Sequence, residues 1–422
     1  MDKPQPAPRP PGPTLAAERI ELIDAVRGFA LFGVLLANLV WLSQDVALTP
    51  AQLEALPTAA LDRIVRYGVQ FFVDWKFYTL FSFLFGLGFS VQLMRGEKRG
   101  VAIVPLYARR LGVLLVLGTI HAYLLWFGDV LQLYALLGFL LILFRKRSDK
   151  VLLATGIGLG VIFPAVVVIV ENLLSPKPAA PWPSATELKE ITALFQGFSS
   201  SSVLDVFKAN AKYTSGFWTE TFAIQFLAAI FGKFLLGFYV GRRRLLEEPE
   251  AHTRLFRRLL VWGLIVGVIG NAIWVVTSVL KQSGAMARSS PWGLAAQLPI
   301  YLGILAMSAF YLSAIVLLWR HPAWHRRLSW LSPVGRMALS NYLTHSFLYV
   351  FLFWGFGLGL LGRVGAAFCV ALALAIFAAQ IVLSSWWLRR FRFGPAEWLW
   401  RSMTYLKLQP MRRTVDADAP AA

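Results

Sequence analysis

Ten apolar runs, separated by charged or turn-forming stretches, leave this chain few ways to fold. They lie near 28–45, 71–94, 106–127, 130–145, 151–174, 218–241, 257–280, 294–319, 335–356 and 364–388. A hydrocarbon core about 30 Å thick is crossed by roughly 20 apolar residues in a helix. In lipid the backbone polar groups must be satisfied within the segment. Each run is therefore expected to be helical, and the chain an all-α polytopic bundle of about ten transmembrane helices. Composition agrees: 57% of the residues are hydrophobic and 15% charged, against about 25% charged in soluble domains.

The net charge of +19 would suit a nucleic-acid binder, but its placement argues against one. With residue 1 on the cytoplasmic side, the segments 1–27, 95–110, 145–150, 242–258, 320–336 and 389–422 share that side and hold 30 of the 41 Lys and Arg residues. They carry 12 acids, whereas the opposite loops hold 10 basic and 10 acidic residues. Only Lys233 falls inside a span. This is the positive-inside pattern, so we expect a multi-pass membrane protein with both termini cytoplasmic. Its expected partners are membrane lipids, with no nucleic acid.

The expected organisation follows from the runs. Residues 1–18 read as a Pro-rich disordered tail, 19–174 as the first five helices and 218–388 as the second five. A basic aromatic tail occupies 389–422. Between the halves, 175–217 reads as an outward-facing loop, amphipathic from Glu187 to Tyr213 and suited to lie on the membrane surface or over a cavity. No repeat relates the halves. Gly86-x-Gly88, Gly237-x-x-x-Gly241 and Gly355-x-Gly357-x-Gly359 read as sites of close helix packing.

Polar groups inside a span are costly, so each is a candidate for function. Arg27 and Asn38 share a face of the first helix, about 16 Å apart, and would mark the ends of a polar path; otherwise Arg27 pairs with Asp24 and Asn38 joins two helices. The densest group is His121, Tyr123, Trp126, Gly128, Asp129, Gln132 and Tyr134. A hairpin between the third and fourth spans would bring the Asp129 carboxylate to the His121 imidazole, the arrangement general-base chemistry requires; the alternative is that Asp129 caps the fourth helix. Asp74, Lys76 and Glu220 would line an outward vestibule with Asp129. Asn341 and His345 lie one turn apart on the ninth helix, preceded by Arg336. His252, His321 and His325 fall in basic loops and read as solvated. One cysteine, Cys369, allows no intrachain disulfide and no cysteine metal cluster. No nucleotide-binding loop, zinc motif or nucleophile elbow occurs, so no metal and no tightly bound cofactor is expected.

Four separated stretches carry a resemblance. They are Leu22-Ile-Asp24-Ala-Val-Arg27-Gly28 with Asn38, Gly128-Asp129-Val-Leu-Gln132-Leu-Tyr134, Gly335-Arg336-Met-Ala-Leu-Ser-Asn341-Tyr342, and Trp387-Leu-Arg-Arg-Phe-Arg-Phe-Gly394-Pro395-Ala-Glu397-Trp398. In this order they resemble the YeiB-like family of bacterial inner-membrane proteins, often labelled transport-associated. The Asp-x-x-Arg-Gly opening also resembles transmembrane acyltransferases of the heparan-glucosaminide N-acetyltransferase-like group. That second resemblance implies acyl-CoA as a cytoplasmic co-substrate and an acceptor on the outer side. Related O-acyltransferases carry a histidine where this chain has Asn38.

Two functions follow as expectations. In the first, Arg27, together with Arg109, Arg110 or Arg336, holds the acyl-CoA phosphates, His121 oriented by Asp129 deprotonates the acceptor, and Asn38 steadies the oxyanion. In the second, His121, Asp129 and Glu220 couple a proton gradient to uptake of a small solute.

Overall fold

The computed structural model describes residues 20–44, 48–98, 100, 102–175 and 185–413. The expected tail at 1–18, the first part of the central loop at 176–184 and the last residues, 414–422, lie outside them.

Each apolar run becomes a helix because nothing in it competes for the backbone's hydrogen bonds. The helices are α1 (Glu21–Gln44), α2 (Ala59–Phe72), α3 (Lys76–Lys98), α4 (Ile103–Leu124), α5 (Leu131–Leu143), α6 (Asp149–Ile157) and α7 (Phe163–Leu174). After these come α8 (Ala185–Phe198), α9 (Val203–Phe217), α10 (Thr221–Arg242), α11 (Thr253–Gln282), α12 (Gln297–Trp319), α13 (Ala338–Phe353), α14 (Ala366–Arg390) and α15 (Pro395–Tyr405). No strand forms among the described residues; the protein is an all-α polytopic helix bundle.

Among the described residues, eight helical stretches are long and apolar enough to cross a membrane. Two of the ten expected spans are shorter: α5 has 13 residues and α13 has 16. At 1.5 Å per residue these reach about 20 Å and about 24 Å, so neither crosses a full hydrocarbon core by itself. Their shortness has a structural cause. Both begin below a polar cap, Asp129 for α5 and Glu397 for α13, each of which takes up the helix's first free N–H groups.

Helix α1 is the axis of the bundle. Ala25, Val26, Ala30, Leu31, Leu35 and Leu39 on it are fully buried, and it packs against α3, α13, α14 and the short helix Ser332–Arg336. The outer helices behave oppositely: the apolar windows of α4 and α11 are each only 22% buried. Exposed side chains such as Val261, Trp262, Ile269 and Val276 on α11 would be an aggregation surface in water and are the normal complexion of a lipid-facing helix.

Three expectations need correction. The amphipathic stretch 187–213 is not one helix but the pair α8 and α9, broken where the Ser202 side chain caps α9 by accepting from Asp205 N. The fifth span is not a continuous α-helix, because a π-turn at Gly158–Ile162 joins α6 to α7. Pro164 just beyond it has no N–H to bond backwards, which favours this local change of ladder. The glycine motifs also divide. Gly86 and Gly237 do sit at a close helix contact, but a Cβ at Gly88 would meet nothing within 4 Å, and Gly355 and Gly357 lie in the turn after α13.

Candidate functional site

Helices α4 and α5 form a tight hairpin. A Cβ at Gly118 would fall 2.4 Å from Gln132 N, so only glycine lets the start of α5 lie against α4. The turn between them carries Asp129 back over the end of α4, where His121 Nδ1 meets Asp129 Oδ1 at 2.8 Å. Asp129 also accepts from Leu131 N at 3.0 Å and Gln132 N at 2.7 Å. The carboxylate therefore both caps α5 and orients the imidazole; the two readings open from sequence coexist. Since an ionised carboxylate can only accept, Nδ1 is the nitrogen that donates to it, which turns Nε2 to the other side of the ring. Both side chains are almost wholly buried, and Nε2 has no partner.

Helix α9 covers this end of α4. Asn210 Nδ2 donates to the carbonyls of Ala122 and Tyr123 at 2.8 and 2.9 Å, and Thr214 donates to Ala122 O at 3.1 Å. These are carbonyls that a helix end leaves unpaired. Phe198 stacks on Trp354 at 4.1 Å, closing the same region. The central loop thus packs over the end of α4 next to His121.

From the other end of the bundle a cavity of about 340 Å³ runs inward. Arg27, Arg95, Arg110, Arg336 and Arg401 line its mouth, its shaft is apolar with Leu84, Phe85, Leu111 and Leu114, and Phe81, Leu131, Tyr134 and Tyr342 line the deep end. From Arg95 to Phe81 along α3 is about 21 Å. The lining therefore extends about 21 Å along α3 and reaches Leu131 at the start of α5. Tyr342 stands between the shaft and the dyad: its ring is 5.5 Å from that of His121 and its hydroxyl is 3.4 Å from both Gly128 O and Val130 N.

The remaining candidates go to different places. Arg27 lines the cavity, held by Asp24 at 2.7 Å and by Gly335 O at 3.4 Å. Asn38 does not line it. Its Oδ1 accepts from Tyr78 Oη, while its Nδ2, beside the Tyr349 hydroxyl, makes no hydrogen bond. Gln132 reaches across to Thr119 at 3.2 Å. Asn341 and His345 bind α14 instead of the cavity: Asn341 donates to Ser384 at 3.0 Å, and His345 Nε2 is 2.8 Å from Gln380 Oε1. They read as a polar seam between two helices.

The expected outward vestibule does not gather its members. Asp74 pairs with Arg66 at 2.8 Å, Glu220 is exposed, and Lys76 is fully buried, donating to Gln70 O at 2.6 Å under the Trp274 ring. A break in the helix explains Lys76: Trp75 adopts a left-handed backbone (φ 67°) between α2 and α3, and the Lys76 ammonium reaches back to the Gln70 carbonyl near the end of α2.

Sequence reasoning missed Glu397. It sits at the start of α15 and accepts from Leu339 N at 2.7 Å, Ser340 N at 3.1 Å and Ser340 Oγ at 2.5 Å, so one carboxylate ties the C-terminal helix to the N-terminus of α13. Burial pushes this carboxyl up, partly opposed by the bonds from Ser340 and Leu339. A raised folded-state pKa contributes stability at low pH that is lost as the pH rises through it. Relative to Glu397→Gln, wild type should therefore lose thermal stability as the pH rises above the ordinary carboxylate range, about 4.3. Superimposable profiles for the two proteins would refute the raised carboxyl.

Residues 240–407 match the family described as "Protein of unknown function (DUF418)". The chain is 36% identical to uncharacterized protein YxaH of Bacillus subtilis (strain 168), over 95% of this chain and 98% of that protein. The chain belongs to the YeiB-like family. Within it, YeiB of Escherichia coli (strain K12) is 29% identical over 92% of this chain and 96% of its own length. An uncharacterized 39.9 kDa protein from the amylase 3' region of Bacillus acidopullulyticus is 30% identical over 96% and 99%. All three matches run nearly end to end, so the family covers the cavity, the dyad and the α8–α9 cap together. The DUF418 match spans α13 to α15, which supply Tyr342, Glu397 and Arg401.

Proposed function

We propose that this protein is a transmembrane acyltransferase of the bacterial inner membrane, with both termini cytoplasmic, that takes its acyl donor from the basic side. The observation that carries the reading is the single path from a five-arginine mouth, along an apolar shaft, to Tyr134 and Tyr342 beneath the His121–Asp129 pair. The charge asymmetry of the loops supports the orientation. A thioester such as acyl-CoA matches the path in order: phosphates at the mouth, an apolar portion in the shaft, the reactive carbonyl at the deep end.

In this reading an acceptor hydroxyl or amine from the far side attacks the thioester carbonyl. A carbon–oxygen or carbon–nitrogen bond forms, the carbon–sulfur bond breaks, and the proton passes to His121 Nε2 and then to the departing thiolate. Asp129 stabilises the transient imidazolium, as general-base catalysis requires. Asn38, which pairs with Tyr78 off the cavity, takes no part in this path.

The test is release of free CoA by purified protein in lipid nanodiscs supplied with acyl-CoA and a membrane or glycan extract. His121→Ala should lower the rate by about 10²-fold or more. No release from acetyl or longer thioesters would sink the reading. Proton-driven solute uptake abolished by His121→Ala would then point to a transporter instead.

A further inference from the structure

We propose that the cavity mouth is a headgroup site for a ligand carrying two or more phosphates on an apolar tail, and that the C-terminal helix α15 completes it. The proposal rests on the acyl-transfer reading only for the reactive end of that ligand; the headgroup site stands on its own geometry.

Five arginines from five different elements converge on one cavity: Arg27 on α1, Arg95 on α3, Arg110 on α4, Arg336 at the end of the short helix Ser332–Arg336 and Arg401 on α15. Two carboxylates line the same cavity, and both are engaged. Asp24 holds Arg27, and Glu397 binds the N-terminus of α13. The excess of positive charge is therefore built in, and the low-dielectric walls of a bundle focus it on whatever enters. Lysine would serve for simple attraction to a lipid surface. An all-arginine set instead fits bidentate recognition of phosphate oxygens.

The site is also organised in advance. Arg110 Nη1 donates to Gln92 Oε1 at 3.0 Å, and the Arg110 guanidinium lies 4.0 Å from the centre of the Trp400 ring. Trp400 Nε1 in turn donates to Arg110 O at 2.9 Å. Helix α15 is thus fastened to α4 at the same residue that presents its charge to the cavity. Trp400, Arg401, Thr404 and Tyr405, on one face over two successive turns of α15, line the cavity. A segment that follows the last span and closes the mouth of the shaft is placed to meet the headgroup, not the tail.

Below the mouth the shaft is apolar, and Gly88 gives a way to separate tail from head. A Cβ there meets no atom within 4 Å although Gly88 lines the cavity. Leucine at this position fills the shaft without disturbing a helix contact.

The phosphates could belong to a coenzyme A thioester or to an anionic membrane lipid, and the experiment distinguishes them. Binding of CoA, palmitoyl-CoA and phosphate-free pantetheine would be measured calorimetrically in phosphatidylcholine nanodiscs, for wild type, Arg95→Gln, Arg401→Gln and Gly88→Leu. Anionic lipid retained through purification would be quantified for the same proteins. We expect CoA to bind and pantetheine not to. Each arginine variant should weaken CoA by about tenfold and flatten its salt dependence. Gly88→Leu should remove the preference for palmitoyl-CoA over CoA while leaving CoA itself bound. Stoichiometric anionic lipid lost in both arginine variants, with no CoA binding, would support the site with a lipid headgroup in it. Affinity for CoA or lipid unchanged in variants of wild-type thermal stability would overturn it, as would binding of neither by wild type. CoA binding without turnover would uphold the site and sink only the acyl-transfer reading.

Discussion

Asp129→Ala should cost about 3 kcal/mol of stability and at least 10²-fold in CoA release. The stability figure follows from what the carboxylate holds. Losing the cap of α5 is worth about 0.5–2 kcal/mol, and leaving the buried His121 Nδ1 without its acceptor adds about 1–3 kcal/mol. The rate loss follows from the tautomer, since without Asp129 nothing keeps the proton on Nδ1 and the lone pair on Nε2. Asp129→Asn separates the two roles. An amide oxygen can still cap Leu131 N or Gln132 N, so most of the stability should return. The charge that favours the imidazolium does not return, so the rate should stay low. Thermal unfolding in detergent and CoA release in nanodiscs measure the two effects independently. A fully active Asp129→Asn would show that the carboxylate is only a cap.

Gly237→Ala should be the more damaging change to the fold, although it adds one methyl group. A Cβ at Gly237 would lie 1.9 Å from the Phe83 carbonyl oxygen, and one at Gly86 would lie 1.9 Å from the Phe234 carbonyl oxygen. The contact is reciprocal: α3 and α10 touch backbone to backbone at two points about one turn apart. A side-chain neighbour could rotate aside, but a carbonyl within a helix cannot, so the helices must separate along their length. Overpacking commonly costs about 1–3 kcal/mol, and the rigid neighbour places this case at or above the upper end. Gly86→Ala should behave alike. Gly88→Ala, on the same helix but facing the cavity, is the matched control and should be neutral. Monodisperse yield and melting temperature in detergent report the outcome. Wild-type melting for Gly237→Ala would mean that the α3–α10 contact is looser than described.

The α3–α10 contact also bears on function, because α3 carries one wall of the shaft. Phe85 stacks on Phe234 at 4.6 Å and meets Tyr134 edge-on at 5.3 Å, so spreading α3 from α10 would disturb the deep end of the cavity.

The helices were legible in sequence because an apolar run in lipid has only one way to satisfy its own backbone, and that constraint is local. The His121–Asp129 pair was legible for a related reason. The two residues flank a single helix end and turn, so the hairpin that joins them needs no information from elsewhere in the chain. The sharing of Asp129 between ring and cap was also readable, since capping depends on residues only two and three positions away.

Residues whose roles depend on which helix lies next to which were not legible. Asn341 and His345 are polar on one face of α13, but only the placement of Ser384 and Gln380 opposite them turns that face into a helix seam. Arg95 and Arg401 read as loop charges until five elements bring five guanidinium groups to one opening. Glu397 reads as an acid in a basic tail until α15 folds back onto α13. Gly86 and Gly88 look alike in sequence, yet one meets a backbone carbonyl and the other an open shaft. By itself, then, the sequence determined the helical bundle, its charge asymmetry and the local dyad, because backbone satisfaction in lipid and capping act over a few residues. The cavity, its arginine mouth and the distinction between seam and site were decided by the tertiary structure, because they depend on contacts between helices far apart in the chain that hydropathy does not encode.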